Sequence, residues 1–209
     1  MKKSPLESYS KMSYITQKWV DLLSSFANDY SAKLSETQLA KKSKIPQQTA
    51  SRYLDMLAKL NLVQHTKQGR NKLFYFDLEM PSTKTIMTLI ESQKSLQFQL
   101  KTKEIMPAIK EILKNCETLI VFGSYSTGTF NKESDLDIII LGEHNKKEIQ
   151  KIKQKQTIEI NEHYATYKEF AQSLTSKNPL AIEIMQNHTL LGDVSKIITI
   201  LWQNAHAKR

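Results

Sequence analysis

The spacing of apolar residues predicts helices in the first part of the chain. Apolar residues three and four apart predict a helix over residues 13–29. Its buried face would consist of Ile15, Trp19, Leu22, Leu23 and Phe26. The segment Ser35-Glu-Thr-Gln38 is typical of a capping box, in which Ser35 accepts from the Gln38 amide and the Gln38 side chain reaches back. A short helix that ends near Ser43 should follow.

A further helix over residues 47–60 and a β-hairpin are predicted next. Ile45-Pro46 marks a turn after which a new helix begins, since proline is tolerated in the first turn of a helix. The apolar positions of the new helix would be buried: Ala50, Tyr53, Leu54, Leu57 and Leu60. Its exposed leading end would be polar: Gln47, Gln48, Thr49, Ser51 and Arg52. Residues 62–67 and 73–77 flank the turn sequence Gln68-Gly-Arg-Asn71, an arrangement that predicts a hairpin.

The order helix, short helix, turn, helix, hairpin is that of a winged helix-turn-helix. The segment IPQQTASRYLDMLAKLNLV resembles the second and third helices of winged-helix DNA-binding domains. The resemblance implies that the helix near Pro46 enters the major groove and that the hairpin is the wing. Base or phosphate contacts would come from Gln47, Gln48, Thr49 and Arg52, and backbone contacts from Lys67, Arg70 and Lys72. A winged helix can also serve as a protein-interaction or dimerisation module, and that alternative stays open.

Two more helices are predicted before the pattern changes. The helix over residues 82–101 is mostly polar and has a narrow apolar stripe, so it fits either a linker or a dimer contact. We favour the dimer contact, because winged helices commonly bind two-fold sites as dimers. A second helix over residues 104–114 leads directly into an apolar run that begins near Glu117.

The stretch LIVFGSYSTGTFNKESDLDIIIL, residues 119–141, consists of two buried-strand patterns around a polar loop. Gly123 closes the first strand, and its missing side chain would allow a phosphate to approach the backbone, while Ser124 adds a hydroxyl. Asp135 and Asp137 lie two apart in the second strand, so their side chains share one face. Carboxylates in a strand are costly unless a cation meets them, and this pair suits magnesium.

Gly123-Ser124, ten residues and Asp135-Leu-Asp137 together resemble the signature of the polymerase-β-like nucleotidyltransferase superfamily, with the spacing of its minimal members. The resemblance extends over about the last hundred residues. It implies that Gly123 and Ser124 bind the β and γ phosphates of ATP or another NTP. It also implies that Asp135 and Asp137 hold Mg²⁺ for transfer of a nucleoside monophosphate.

The same superfamily normally has a third carboxylate on a neighbouring strand. Residues 157–161 predict such a strand, with Ile158 and Ile160 in the core and Glu159 on the face of the aspartates. Glu159 is therefore the candidate third metal ligand, or the general base for the attacking hydroxyl. The chain departs from the family twice: it has glutamate where aspartate is frequent, and Thr127 where an arginine often precedes the second glycine.

The net charge of +9 is concentrated in the first half of the chain. Residues 1–80 contain 13 Lys/Arg and 7 Asp/Glu, residues 81–116 contain 6 and 3, and residues 117–209 contain 11 of each. A basic first half favours a polyanion partner such as DNA. Cys116 is the only cysteine, which excludes an intramolecular disulfide, and no apolar stretch is long enough for a membrane span. We expect a cytoplasmic protein with no membrane partner.

The predicted architecture is α+β: a winged helix-turn-helix over residues 1–80, a linker or dimerisation helix over 81–103, and a minimal nucleotidyltransferase domain with a small mixed sheet over 104–209. The predicted function is Mg-dependent transfer of AMP from ATP to a protein or another hydroxyl or phosphate acceptor. One alternative is a transcriptional regulator whose second domain senses a nucleotide or is inactive. Another is an antitoxin that modifies a partner toxin. A homodimer is expected on the winged-helix analogy.

Overall fold

The computed structural model describes residues 16–208. Ile15 and the start of the first predicted helix lie outside the described residues. Seven elements form the first part: α1 (Gln17–Ser24), β1 (Leu34–Ser35), α2 (Glu36–Ser43), α3 (Gln47–Lys59), β2 (Gln64–Gln68), β3 (Asn71–Tyr75) and the long helix α4 (Pro81–Lys101). Ten elements follow: α5 (Met106–Leu113), β4 (Cys116–Val121), α6 (Gly123–Thr127), β5 (Leu136–His144), α7 (Lys146–Gln154), β6 (Ile160–Ala165), α8 (Tyr167–Thr175), α9 (Pro179–Gln186), β7 (Thr189–Gly192) and α10 (Ser195–Ala207).

The N-terminal unit, α1 to β3, is three helices packed on a small antiparallel sheet of order β1-β3-β2. The predicted capping box is confirmed, with Ser35 Oγ accepting from the Gln38 amide and the Gln38 side chain accepting from the Ser35 amide. The predicted hairpin is also confirmed, and Gly69, with φ of +59°, lies in its turn. Helix α3 starts one residue after Pro46, which occupies the N-cap position.

Helix α4 is more than a connection between two parts. Its inner face is buried within the chain, with Ile86, Met87 and Ile90 in contact with the core. It packs against α1 on one side and against β7 and α10 on the other. Leu96 and Leu100 of the same helix are 55% and 62% exposed. The dimer contact stays a prediction.

The C-terminal unit is built on a four-stranded mixed sheet of order β6-β5-β4-β7. Strand β4 pairs antiparallel with β5 and β7, and β5 pairs parallel with β6. The apolar cluster on one face of the sheet includes residues of α5 and α7. The cluster on the other face includes α8, α9 and α10 and continues into the N-terminal unit. Among the described residues, no helix combines the length and apolar character needed to span a membrane.

Candidate active site

Asp135 and Asp137 lie at the start of β5, next to the loop that follows β4. Asp135 immediately precedes the strand and Asp137 is its second residue. The Phe122 amide donates to the Asp137 carbonyl over 3.1 Å, which holds the end of β4 beside the aspartates. The first turn of α6 therefore begins directly against the Asp137 side chain.

Gly123 is the residue at which the backbone of α6 lies closest to the Asp137 side chain without room for a Cβ. Its φ is +66°, a region that residues with a side chain rarely adopt. A Cβ added at this position would lie 2.4 Å from Asp137 Oδ2. The missing side chain of Gly123 was predicted to let a phosphate approach the backbone. In the structure, the carboxylate of Asp137 already fills the space that a side chain would need.

Asn161 connects the two aspartates. Asp137 and Asn161 are register partners on the parallel strands β5 and β6. The Asn161 side-chain amide donates to Asp135 Oδ2 over 3.3 Å and to Asp137 Oδ1 over 3.2 Å. One donor group thus faces both carboxylates, which shows that the two acids are directed towards a common point.

Glu159, the predicted third acid, is not brought to this pair. Its side chain is exposed and it precedes β6, where its carbonyl accepts from the Leu136 amide over 2.8 Å. Within residues 16–208 no group of three His, Cys, Asp or Glu side chains is arranged to hold a metal ion. Residues 159, 161 and 163 share one face, as their alternation predicts. The register between β5 and β6, however, places Asn161 beside Asp137. The role of Glu159 stays a prediction.

An open cavity of about 370 Å³ continues along the same face of the sheet. Ile139 and His163, which line it, lie two residues beyond Asp137 and Asn161 on β5 and β6. Its remaining walls come from β6, from α8, which includes Glu169 and Ser173, and from α9 with its N-cap residue Asn178. Ligand pockets usually begin at about 300 Å³, so this cavity is large enough for a small substrate, and its lining includes neither aspartate.

Helix α6 itself provides hydroxyl groups but no positive charge. Thr127 Oγ1 donates back to the Ser124 carbonyl over 3.0 Å. Ser126 Oγ lies 3.3 Å from Thr189 Oγ1 at the start of β7. Tyr125 points into the other face of the sheet and stacks on Phe130, with ring centroids 4.4 Å apart. Burial is the main factor that raises the pKa of Tyr125.

The predicted DNA-contacting residues lie on α3 and on the hairpin. Gln47, Gln48 and Arg52 are exposed on α3, and Thr49 is half-buried. Lys67 and Arg70 are exposed on the hairpin. Lys72 forms an ion pair with Asp55 of α3 over 3.0 Å and so fixes the hairpin to that helix. In the described part of the chain, Arg52, Lys67 and Arg70 form no ion pair.

Comparison with known proteins gives one family-model match. Residues 101–201 match the family model described as nucleotidyltransferase domain. The match includes Gly123, both aspartates and Asn161, and it excludes the first hundred residues. It supports the nucleotidyltransferase superfamily and nucleotidyl transfer in general for this segment. No curated protein and no solved structure matches the chain.

Proposed function

We propose that this chain is a Mg-dependent nucleotidyltransferase that transfers AMP from ATP to a hydroxyl or phosphate acceptor. The observation that supports it is the position of Asp135 and Asp137 beside Gly123, inside the segment that matches the nucleotidyltransferase domain. A protein side chain is one such acceptor. If the chain is an antitoxin, the acceptor side chain belongs to a partner toxin.

The donor set fits Mg²⁺. In proteins this ion is typically held by one or two carboxylates together with substrate phosphates and water. Asp135 and Asp137 are two carboxylates directed at one point by Asn161, so they can hold the metal without a third acid. When bound, Mg²⁺ would neutralise the charge of the triphosphate.

The residues of the chain would position the reacting groups. Gly123 and Ser124 would bind the β and γ phosphates, as the resemblance to the nucleotidyltransferase signature implies. The acceptor oxygen then forms a bond to the α phosphorus, and the bond from that phosphorus to the bridging oxygen breaks. Pyrophosphate leaves with the electron pair, and the acceptor proton passes to a carboxylate, with Glu159 as candidate, or to water.

Labelling with ATP radiolabelled at the α phosphate tests this function. In the presence of Mg²⁺ and cell lysate, the wild-type chain should transfer label to an acceptor. Asp135→Ala and Asp137→Ala should each abolish the transfer, because each removes half of the carboxylate pair. Glu143→Gln changes an exposed carboxylate on the same strand and should leave labelling unchanged. Retained labelling in either aspartate variant would exclude the mechanism.

A second candidate function is a DNA-binding regulator whose C-terminal unit senses a nucleotide. The observation that favours it is the set of exposed cations Arg52, Lys67 and Arg70 on α3 and the hairpin, which lack ion-pair partners within residues 16–208. The helix and strand order of the N-terminal unit is compatible with a winged helix-turn-helix, which we propose it to be.

Gel-shift assays test DNA binding by this unit. Arg52→Ala and Lys67→Ala should weaken binding, and loss of a phosphate contact should reduce the slope of log affinity against log salt by about 1. Lys110→Ala removes an exposed lysine of α5 and serves as control. DNA binding that depends on ATP and Mg²⁺ without label transfer would favour the sensor. Label transfer to a protein encoded beside this chain would favour the antitoxin.

A further inference from the structure

Four polar side chains meet in the interior where the N-terminal unit, α4 and β7 come together. Tyr30 donates to Glu91 Oε1 over 2.6 Å. Glu91 Oε2 lies 2.9 Å from Lys94 Nζ and 3.2 Å from His188 Nε2. Tyr30, Glu91 and His188 are almost fully buried, whereas the Lys94 side chain keeps 21% of its exposure. Lys94 is therefore the one member of this network that is open to a ligand.

The open side of Lys94 faces a small cavity between α4 and α6. The cavity has a volume of about 130 Å³, and its lining includes Lys94, Lys101, Ser126, Thr127 and Gly128. A water molecule takes about 30 Å³ of liquid volume, so the cavity has room for a few waters or a small oxyanion. It is too small for a nucleoside, since drug-sized ligands need about 300 Å³ or more.

The hydrogen-bonding capacity of Lys94 is not exhausted by its buried partners. An ammonium group has three donors. Lys94 Nζ is 2.9 Å from Glu91 Oε2 and 3.1 Å from His188 Nε2, and these partners use at most two of them. His188 Nδ1 donates to the Ile184 carbonyl over 3.1 Å, which fixes the ring so that Nε2 faces Lys94. At least one donor of Lys94 is thus left for a group in the cavity.

We propose that this cavity binds a phosphate group, with Lys94 as its cation, and that Glu91 and Tyr30 connect the bound phosphate to the N-terminal unit. The inference rests on the proposed function for the phosphate-bearing ligand, which would be ATP or the pyrophosphate it releases. Lys94 lies outside residues 101–201, so the family match does not account for it. It supplies from α4 a charge that α6 lacks at Thr127.

Glu91 connects the cavity to the N-terminal unit because its carboxylate contacts both Lys94 and Tyr30. A phosphate that draws Lys94 Nζ towards the cavity weakens the ion pair with Glu91. Glu91 then depends more on the hydrogen bond from Tyr30, which belongs to the segment between α1 and β1. Occupancy of the cavity therefore changes a contact that holds the N-terminal unit against α4.

Calorimetric titration of the full chain with pyrophosphate and with ATP, both without Mg²⁺, tests the binding site. Lys94→Met alone would leave Glu91 without its cation and could destabilise the fold. The decisive variant is the double substitution Glu91→Gln with Lys94→Met, which removes both charges together. We expect this variant to lose at least tenfold in affinity for whichever ligand binds, and Lys94→Arg to retain binding. Lys110→Met is the control and should bind as the wild type.

A comparison of pyrophosphate binding with ATP binding shows which molecule supplies the phosphate in the cavity. Lys94-dependent binding of both ligands would show that the cavity takes pyrophosphate itself. Binding of ATP alone would show that it takes the terminal phosphate of a nucleotide. A folded double variant with wild-type affinity would overturn the proposal, as would a wild type that binds neither ligand.

The connection to the N-terminal unit has its own readout. Hydrogen exchange of residues 26–34 should change when the ligand is added, and Tyr30→Phe should abolish that change while the ligand still binds. An unchanged exchange pattern on ligand binding would overturn this part.

Failure of the inference and failure of the proposed function are distinguishable. Unchanged labelling and unchanged affinity in the double variant would remove only the Lys94 site. Lys94-dependent binding in a wild type that transfers no label would remove only the nucleotidyl transfer. Asp137→Ala should lose labelling yet retain pyrophosphate binding without Mg²⁺, because the metal site is not used in that titration.

Discussion

Gly123 is constrained by its backbone conformation and by the side chain beside it. We predict that Gly123→Ala destabilises the chain by more than the about 1–2 kcal/mol expected for a side chain at positive φ. The added cost arises because the new Cβ would meet Asp137 Oδ2 at 2.4 Å. Displacement of this carboxylate should also abolish label transfer. Urea unfolding and the labelling assay measure the two effects.

Gly69→Ala is the matched control for Gly123→Ala. Gly69 also has positive φ, +59°, but a Cβ added there would have no atom within 4 Å. Gly69→Ala should therefore destabilise the chain only by the cost of a side chain at positive φ, and label transfer should be unchanged. Equal loss of stability in the two variants would contradict the steric contact between residue 123 and Asp137.

Substitutions at Asn161 and Glu159 test which side chains hold the metal. Asn161→Asp places a third carboxylate beside Asp135 and Asp137 and removes the amide that donates to both. Repulsion should lower the melting temperature without metal, and added Mg²⁺ should raise it by more than in the wild type. Glu159→Gln, at an exposed side chain, should alter neither value. A smaller Mg²⁺-induced rise in melting temperature for Glu159→Gln than for the wild type would instead identify Glu159 as the third acid.

At the scale of elements, α4 carries a buried carboxylate whose ionisation contributes to stability. Burial alone would raise the pKa of Glu91, but His188, Lys94 and Tyr30 outweigh it and lower the pKa from 4.5 to about 2. A group with a lowered folded-state pKa stabilises the fold above its unfolded value, and this contribution is lost as the pH falls through the folded value. The shift corresponds to about 3 kcal/mol, lost between roughly pH 5 and pH 2.

Glu91→Gln tests this contribution. The difference in unfolding free energy between wild type and Glu91→Gln should shrink as the pH is lowered from 5 to 2, because protonation makes the two side chains alike. Urea unfolding at several pH values measures it. Glu111→Gln changes an exposed carboxylate paired with Lys114 and should show a much smaller pH effect. A difference for Glu91→Gln that is constant with pH would contradict the assignment.

The secondary structure elements also show which features the sequence predicts and which it does not. Periodicity and capping residues located most helices and the hairpin, because these signals are local. The strand over residues 157–161 was predicted with the correct alternation, yet β6 begins at Ile160, and its pairing puts Asn161 beside Asp137. Register depends on a partner strand 24 positions away in the chain, so no local pattern identifies it. The pairing of Thr189–Gly192 with β4 likewise joins segments that are far apart in the chain.

On the scale of the whole molecule, the N-terminal and C-terminal units share a core. One continuous apolar cluster contains Leu22 and Leu54 of the first unit and Ile120 and Ile198 of the second. Helix α10 adds polar contacts, since Trp202 Nε1 donates to the Leu78 carbonyl over 2.8 Å. A domain that binds DNA and a domain that binds a nucleotide would be coupled most directly if they also unfold together. The shared core predicts that they do.

The two tryptophans make this cooperativity measurable, because Trp19 lies in α1 and Trp202 in α10. Trp202→Phe leaves fluorescence from the first unit alone, and Trp19→Phe leaves it from the last helix. In each variant we expect the fluorescence midpoint in urea to coincide with the midpoint from far-UV circular dichroism, because one core is lost in one transition. A Trp202 signal that changes at a lower urea concentration than the circular dichroism would show that the C-terminal unit opens first. Such a result would contradict a single core that is lost in one transition.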